Sequence, residues 1–157
     1  KKKLIGYNVQ VEKDVTKNIT ETDKKELIKA NTDINIKDPH SRQHAIEIKL
    51  PLKGQGGQLI AMYKFCEDVH FLEKLVCKGY LTSYALIVTN DPLFLGGEEK
   101  IKPPYSFFRS KEPINGEIEC PTGKHKGSKA INIKKTYTIE WTNLIDKYWY
   151  CLLEIKP

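Results

Sequence analysis

At 157 residues the chain has the length of one domain, enough to bury roughly two thirds of its unfolded surface, and 39% hydrophobic with 29% charged residues excludes a disordered chain. No apolar run approaches the roughly 18 residues of a membrane span, and Lys1, Lys2 and Lys3 lead into Leu4-Ile5-Gly6-Tyr7 without the long apolar stretch of a signal peptide, so a cytoplasmic protein without membrane contact is expected. The formal net charge of +6 is localised, because residues 100–135 hold nine Lys or Arg against three Glu, and a localised basic surface suits a polyanionic partner such as nucleic acid.

Residues 4–11 alternate loosely and end in charge, which predicts a strand, and 22–30 join a polar start to Leu27-Ile28, which predicts a short helix. Asp33-Ile34-Asn35-Ile36-Lys37 alternates, Asp38-Pro39-His40-Ser41-Arg42 carries turn chemistry, and residues 44–50 alternate again, a pattern that predicts a β-hairpin. Lys53-Gly54-Gln55-Gly56-Gly57 reads as a flexible joint. Beyond it Leu59, Met62, Cys66, Val69, Leu72 and Val76 recur at helical spacing as far as Gly79. Glu67-Asp68 and Glu73-Lys74 fall outside this stripe and are expected on a solvated face. Tyr84-Ala85-Leu86-Ile87-Val88, within 80–89, is a continuous apolar run expected of a strand covered on both faces. Residues 93–129, with Pro103-Pro104 and Pro121-Thr122-Gly123 as breakers, predict mobile loops. Residues 131–141 and 148–155 are aromatic and β-branched and predict a closing pair of strands across 143–147, with their Tyr and Trp side chains in the core.

Cys66, Cys77, Cys120 and Cys151 contain no C-x-x-C pair, and Cys66 and Cys77 are roughly 16 Å apart on a straight helix, too far for a disulfide; reduced thiols are expected. His40, His44, His70 and His125 show no metal-ligand spacing.

The hairpin carries the chemistry. If it turns symmetrically about His40, Asp33 lies opposite Glu47, with Cβ atoms about 5 Å apart on one face. Two carboxylates so close repel each other unless a cation lies between them, and Mg²⁺ prefers hard oxygen ligands of this kind. Lys49 projects to the face of Glu47, because strand side chains alternate with a period of two. Carboxylates that fix a metal beside a phosphodiester, with a lysine to steady developing negative charge, are the requirements of phosphodiester hydrolysis. The apolar Ile46, Ile48 and Leu50 imply a buried sheet around this face. Asp38, in the turn itself, is the competing carboxylate, with an ordinary local role in turn chemistry.

Ala45-Ile46-Glu47-Ile48-Lys49, Gly54-Gln55, Phe65-Cys66-Glu67-Asp68-Val69, Asp91-Pro92-Leu93-Phe94 and Pro121-Thr122-Gly123-Lys124 together resemble a little-characterised bacterial group within the PD-(D/E)xK phosphodiesterase superfamily. The resemblance runs from about residue 32 to the end, and the element order of the superfamily core matches over 4–89. Thr32, not proline, precedes Asp33, and the usual N-terminal helix with an acidic residue is not evident; an upstream helix is expected to be missing from a single domain spanning 1–157.

The resemblance implies an α/β fold with a restriction-endonuclease-like mixed sheet: a strand meander, a helix and a further strand, with flanking helices and the C-terminal strand pair. It implies Asp33, Glu47 and the backbone of Ile48 as ligands of Mg²⁺ or Mn²⁺, Lys49 as the charge-stabilising or water-orienting residue, and Gln58, with Gln55 as its neighbour, as the glutamine beside the metal. The expected partner is nucleic acid, DNA first, gripped by Lys53, Arg109, Lys124, His125, Lys126 and Lys129, in a monomer or homodimer. A catalytically silent nucleic-acid-binding module of the same fold and a protein interaction domain are the alternatives.

Overall fold

The computed structural model describes residues 6–18, 21–96, 102–123, 126–127 and 129–157. The first half of the chain forms strand β1 (Asn8–Asp14), a 3₁₀ turn (Thr16–Asn18), helix α1 (Glu21–Glu26), strands β2 (Asn31–Lys37) and β3 (Gln43–Lys49), helix α2 (Gln58–Cys77) and strand β4 (Thr82–Thr89). A 3₁₀ turn (Pro92–Phe94), helix α3 (Tyr105–Arg109) and strands β5 (Ile114–Glu119), β6 (Ala130–Tyr137), β7 (Thr142–Ile145) and β8 (Tyr148–Ile155) follow. The fold is mixed α/β. Six strands form one sheet in the order β1-β2-β3-β4-β8-β7, and β5 pairs with β6 alone. All neighbours are antiparallel except β3 and β4, which α2 joins as a parallel pair. A parallel pair needs such a crossover, because a tight turn only reverses the chain.

The hairpin and the long helix form where the pattern predicts them. In the turn, Asp38 Oδ1 accepts the N–H groups of His40 and Arg42, each at 2.9 Å, and Oδ2 accepts Arg42 Nε at 2.6 Å, so its carboxylate is consumed by local turn chemistry. Gly56 and Gly57, both at φ 69°, make the left-handed approach to α2 that other residues adopt only under strain.

Helix α2 lies between two layers. Met62, Cys66, Val69, Leu72 and Val76 are buried, and so are Tyr63, Phe65, Phe71 and Leu75. Full burial of one such side chain stabilises by about 1.5–3 kcal/mol, so this helix carries much of the core. One side packs on β3, β4 and β8, and another on β6. The expectation of a solvated face at Glu67-Asp68 and Glu73-Lys74 therefore fails at Asp68 (4% exposed) and Glu73 (7%). Glu73 accepts the backbone N–H groups of Lys134 and Lys135, each at 2.8 Å, and the Tyr137 hydroxyl at 3.1 Å, which fastens the β5–β6 hairpin to the helix.

Other expectations shift. The predicted helix over 22–30 lasts only to Glu26, and the chain then turns so that Ala30 O accepts Val15 N–H at 2.9 Å. The loops expected over 93–129 contain α3 and β5; Ile114 and Ile118 point β5 inward, and Gly116 (φ 68°) sits at a break in its register. The closing strands do not pair with each other, since β6 joins β5 while β8 lies between β4 and β7. Strand β4 is buried on one face only, with Ser83, Ala85, Ile87 and Thr89 inward. The opposite sheet face stays partly open: Ile48 is 38% and Leu50 56% exposed, so these two residues do not mark a buried sheet. Trp141 is half-buried against Phe108, consistent with a core role.

The sheet ends in two outer strands of unusual form. Glu12, in the middle of β1, has φ 50°, and β7 is four residues long with a register break between Asn143 and Ile145. All four cysteines are free thiols. No helix among the described residues is long and apolar enough to cross a membrane.

Candidate functional site

Strands β2 and β3 pair Ile34 with Ile46, Asn35 with Ala45, Ile36 with His44 and Lys37 with Gln43, a register centred on His40. Continued by one residue, it sets Asp33 across from Glu47. The ladder stops at Ile34 and Ile46, and beyond it the Asp33 carboxylate accepts the Ile48 N–H at 2.7 Å. The backbone of Ile48 thus meets Asp33 through its amide.

Glu47 lies in the middle of the sheet, beside Ala85 of β4, on the face that α2 covers. It is 1% exposed. Two residues that the hairpin pattern does not include join it. Lys29, on the irregular segment between α1 and β2, donates to Glu47 Oε2 and, at 2.7 Å, to Asp68 Oδ1. Lys49 reaches the other oxygen of Asp68 at 2.6 Å. A chain of alternating charge therefore runs Glu47, Lys29, Asp68, Lys49. Glu47 Oε1 is buried and has no hydrogen-bond partner among the described residues. A buried carboxylate oxygen left without a donor is costly.

The electrostatics follow from this packing. Burial pushes the Glu47 carboxyl up to about 7, against the lowering effect of the Lys29 ammonium, and the negative charges of Asp68 and Asp33 add to the rise. Burial also works against the charge of Lys29, but Asp68 and Glu47 outweigh it and hold this lysine above its ordinary value. A cavity of about 180 Å³ opens beside Lys29, Asp68 and Lys49 and is lined also by Ile28, Lys64, Glu67 and Lys129; Glu47 touches it only through Lys29 and does not line it. Lys129 pairs with Glu67 at 2.5 Å, and Lys64 is exposed.

The other expected site residues are spread. Gln58 donates its amide to Asp91 Oδ2 at 2.9 Å, and Asp91 in turn accepts Leu93 N–H at 3.0 Å, so Gln58 ties the start of α2 to the end of β4. Gln55 accepts the Leu52 N–H at 2.9 Å. Lys53 is exposed, with its backbone N–H on Asn90 at 2.8 Å. Arg109 donates Nε to Leu93 O at 2.6 Å and stacks its guanidinium 4.2 Å over Tyr105, which joins α3 to the preceding turn. Lys126 is exposed, while Lys124 and His125 lie outside the described residues.

Asp68 and Lys29 are the members of this charged cluster that sequence reasoning misses. A signal for Asp68 exists, since the apolar Phe65, Leu72 and Leu75 flank it at −3, +4 and +7 and so place it on a side of α2 that is buried. Lys29 has none, because its segment follows no periodicity. Among the described residues, no three His, Cys, Asp or Glu side chains gather as a ready-made metal-holding group. The carboxylates of Glu47 and Asp68 share one ammonium, that of Lys29. Compared with known proteins, the chain matches no protein-family model, no curated protein and no solved structure.

Proposed function

We propose that this chain is a metal-dependent phosphodiesterase acting on nucleic acid, DNA first, with its chemistry at Asp33, Glu47 and Lys49. The observation that carries the reading is the buried Glu47 carboxylate, with one oxygen unpartnered among the described residues, linked through Lys29 to a cavity that Lys49, Lys64 and Lys129 also line. Apolar residues would fill this position more cheaply in a purely structural protein. The restriction-endonuclease-like reading of the sheet gains support from the order of β1, β2, β3, α2 and β4, with α1 between the first two strands, which is like the strand meander, helix and strand expected of a PD-(D/E)xK core.

Mg²⁺ or Mn²⁺ suits this donor set, because such ions take one or two carboxylates and complete their shell with waters and substrate oxygens. Glu47 and Asp33 would hold the ion, which when bound supplies Lewis-acid polarisation of a phosphodiester. Lys49, tethered to Asp68, steadies negative charge that develops on the phosphate. Lys64 and Lys129 at the rim meet the backbone electrostatically, without regard to base sequence.

A specific observation favours one alternative, a catalytically silent nucleic-acid-binding module of the same fold: the Lys29 ammonium already bridges two of the carboxylates. A cleavage assay on single- and double-stranded DNA and RNA with Mn²⁺ separates the two readings. The phosphodiesterase reading expects cleavage that falls by at least about 100-fold in Glu47→Ala and Lys49→Ala. Salt-dependent DNA binding with no cleavage by the wild type refutes it in favour of the silent module.

A further inference from the structure

We propose that Lys29 is a tethered cation standing in a divalent-cation site formed by Glu47 and Asp68, so that a metal ion and the Lys29 ammonium exclude each other. The inference rests on the metal-dependent reading of this site and adds to it a carboxylate from α2 and a built-in competitor.

Lys29 Nζ contacts one oxygen of each carboxylate, which is where a cation shared by the two would sit. Both carboxylates are almost wholly buried, one on strand β3 within the sheet and one on the long helix α2, so their positions are set by regular, hydrogen-bonded elements. Lys29 is different. It belongs to the irregular segment between α1 and β2, its side chain is 29% exposed, and it lines the cavity. The carboxylates are thus fixed and the ammonium is the removable partner. Glu47 Oε1 adds an independent observation: it is buried and unpartnered, an acceptor that the ammonium leaves unused and a metal ion with its waters would engage. An ammonium that remained in place would face the dication at a few ångströms, and repulsion between like charges at that range rules out joint occupancy. Once displaced, the Lys29 ammonium has solvent to enter, since its side chain is 29% exposed and lines the cavity.

The test is a calorimetric titration of the intact chain with Mn²⁺, comparing wild type, Lys29→Met, Lys29→Arg and the double variant Lys29→Met with Asp68→Asn. Removing the tethered charge is expected to tighten Mn²⁺ binding by at least roughly tenfold in Lys29→Met, Lys29→Arg is expected to stay near wild type, and the double variant is expected to lose the gain. Equal or weaker Mn²⁺ binding in Lys29→Met, where the wild type binds through Glu47, overturns the inference and leaves the metal-dependent reading standing. A gain that survives Asp68→Asn overturns the assignment of Asp68. No Mn²⁺ binding by either wild type or Lys29→Met overturns both, while tightened binding without any cleavage upholds the inference and removes the phosphodiesterase reading. If Lys29→Met fails to fold, the side-chain ammonium resonance of Lys29 in the wild type decides. Its shift on addition of Mg²⁺ supports displacement, and an unchanged resonance at saturating Mg²⁺ refutes it.

Discussion

Glu47→Gln replaces a buried, charged site residue with a neutral one of the same shape, and the sign of its effect on stability follows from the environment of the carboxylate. Burial raises this carboxyl from 4.5 to about 7 in the folded chain, so the folded state holds the proton more tightly than the unfolded state does. A raised carboxylate contributes stability that is complete below the unfolded value and is lost as pH climbs through the folded one. The interval corresponds to about 3 kcal/mol at 1.36 kcal/mol per unit. At about pH 8 the wild type has lost that contribution, whereas glutamine, permanently neutral and still able to accept from Lys29, keeps it. Glu47→Gln is therefore expected to be more stable than wild type by up to about 3 kcal/mol at pH 8, with the difference shrinking toward zero near pH 4.5. Urea denaturation in chelator across this range measures it. A variant less stable than wild type at pH 8, or a gain that does not depend on pH, refutes the argument. Added Mn²⁺ should stabilise the wild type and leave Glu47→Gln unmoved, since ligand binding to the folded state is what raises stability.

Glu73→Ala leaves the Lys134 and Lys135 N–H groups and the Tyr137 hydroxyl without their acceptor, and is expected to destabilise the fold by about 3 kcal/mol. Hydrogen exchange should show the loss first at the amides of β6; protection there equal to wild type would contradict the role of Glu73 as the hairpin clamp. In the turn between β2 and β3, burial works against the charge of Asp38, but bonds from the Arg42 backbone and side chain and the His40 backbone outweigh it and lower the carboxyl to about 2. A depressed carboxylate contributes stability above its unfolded value that is lost as pH falls through the folded one, so Asp38→Asn should lower the melting temperature at neutral pH and approach wild type near about pH 2. A constant difference down to that pH would mean that the charge is not what holds the turn.

The hairpin register was legible because it depends on local rules. Turn residues at 38–42 and alternation on either side suffice to centre the pairing on His40, and the bonds from Asp38 are of the kind the turn residues announce. The long helix was legible for the same reason. What could not be read was the layer on the far side of that helix. A single apolar stripe implies one covered face, and the side of α2 that carries Tyr63, His70 and Glu73 is covered only once β6 packs there. That second layer turns Glu73 from a solvated residue into a buried acceptor. Asp68 is buried for a different reason, at the edge where α2 meets β3 and the Lys29 segment. Lys29 illustrates the limit most sharply, since a lysine on an irregular segment acquires its role only from what the tertiary fold sets beside it.

The two outer strands bear on how the molecule behaves when crowded. A sheet that exposes a row of unpaired N–H and C=O groups invites another strand to add to it, and that is the usual start of aggregation. Here β1 carries the left-handed Glu12 at mid-strand, which puts a charged residue and a local distortion where a flat template would be needed. Strand β7 offers four residues and a register break, too short and too uneven for a continuing ladder. Both margins of the six-stranded sheet, among the described residues, are therefore blunted against the addition of a further strand.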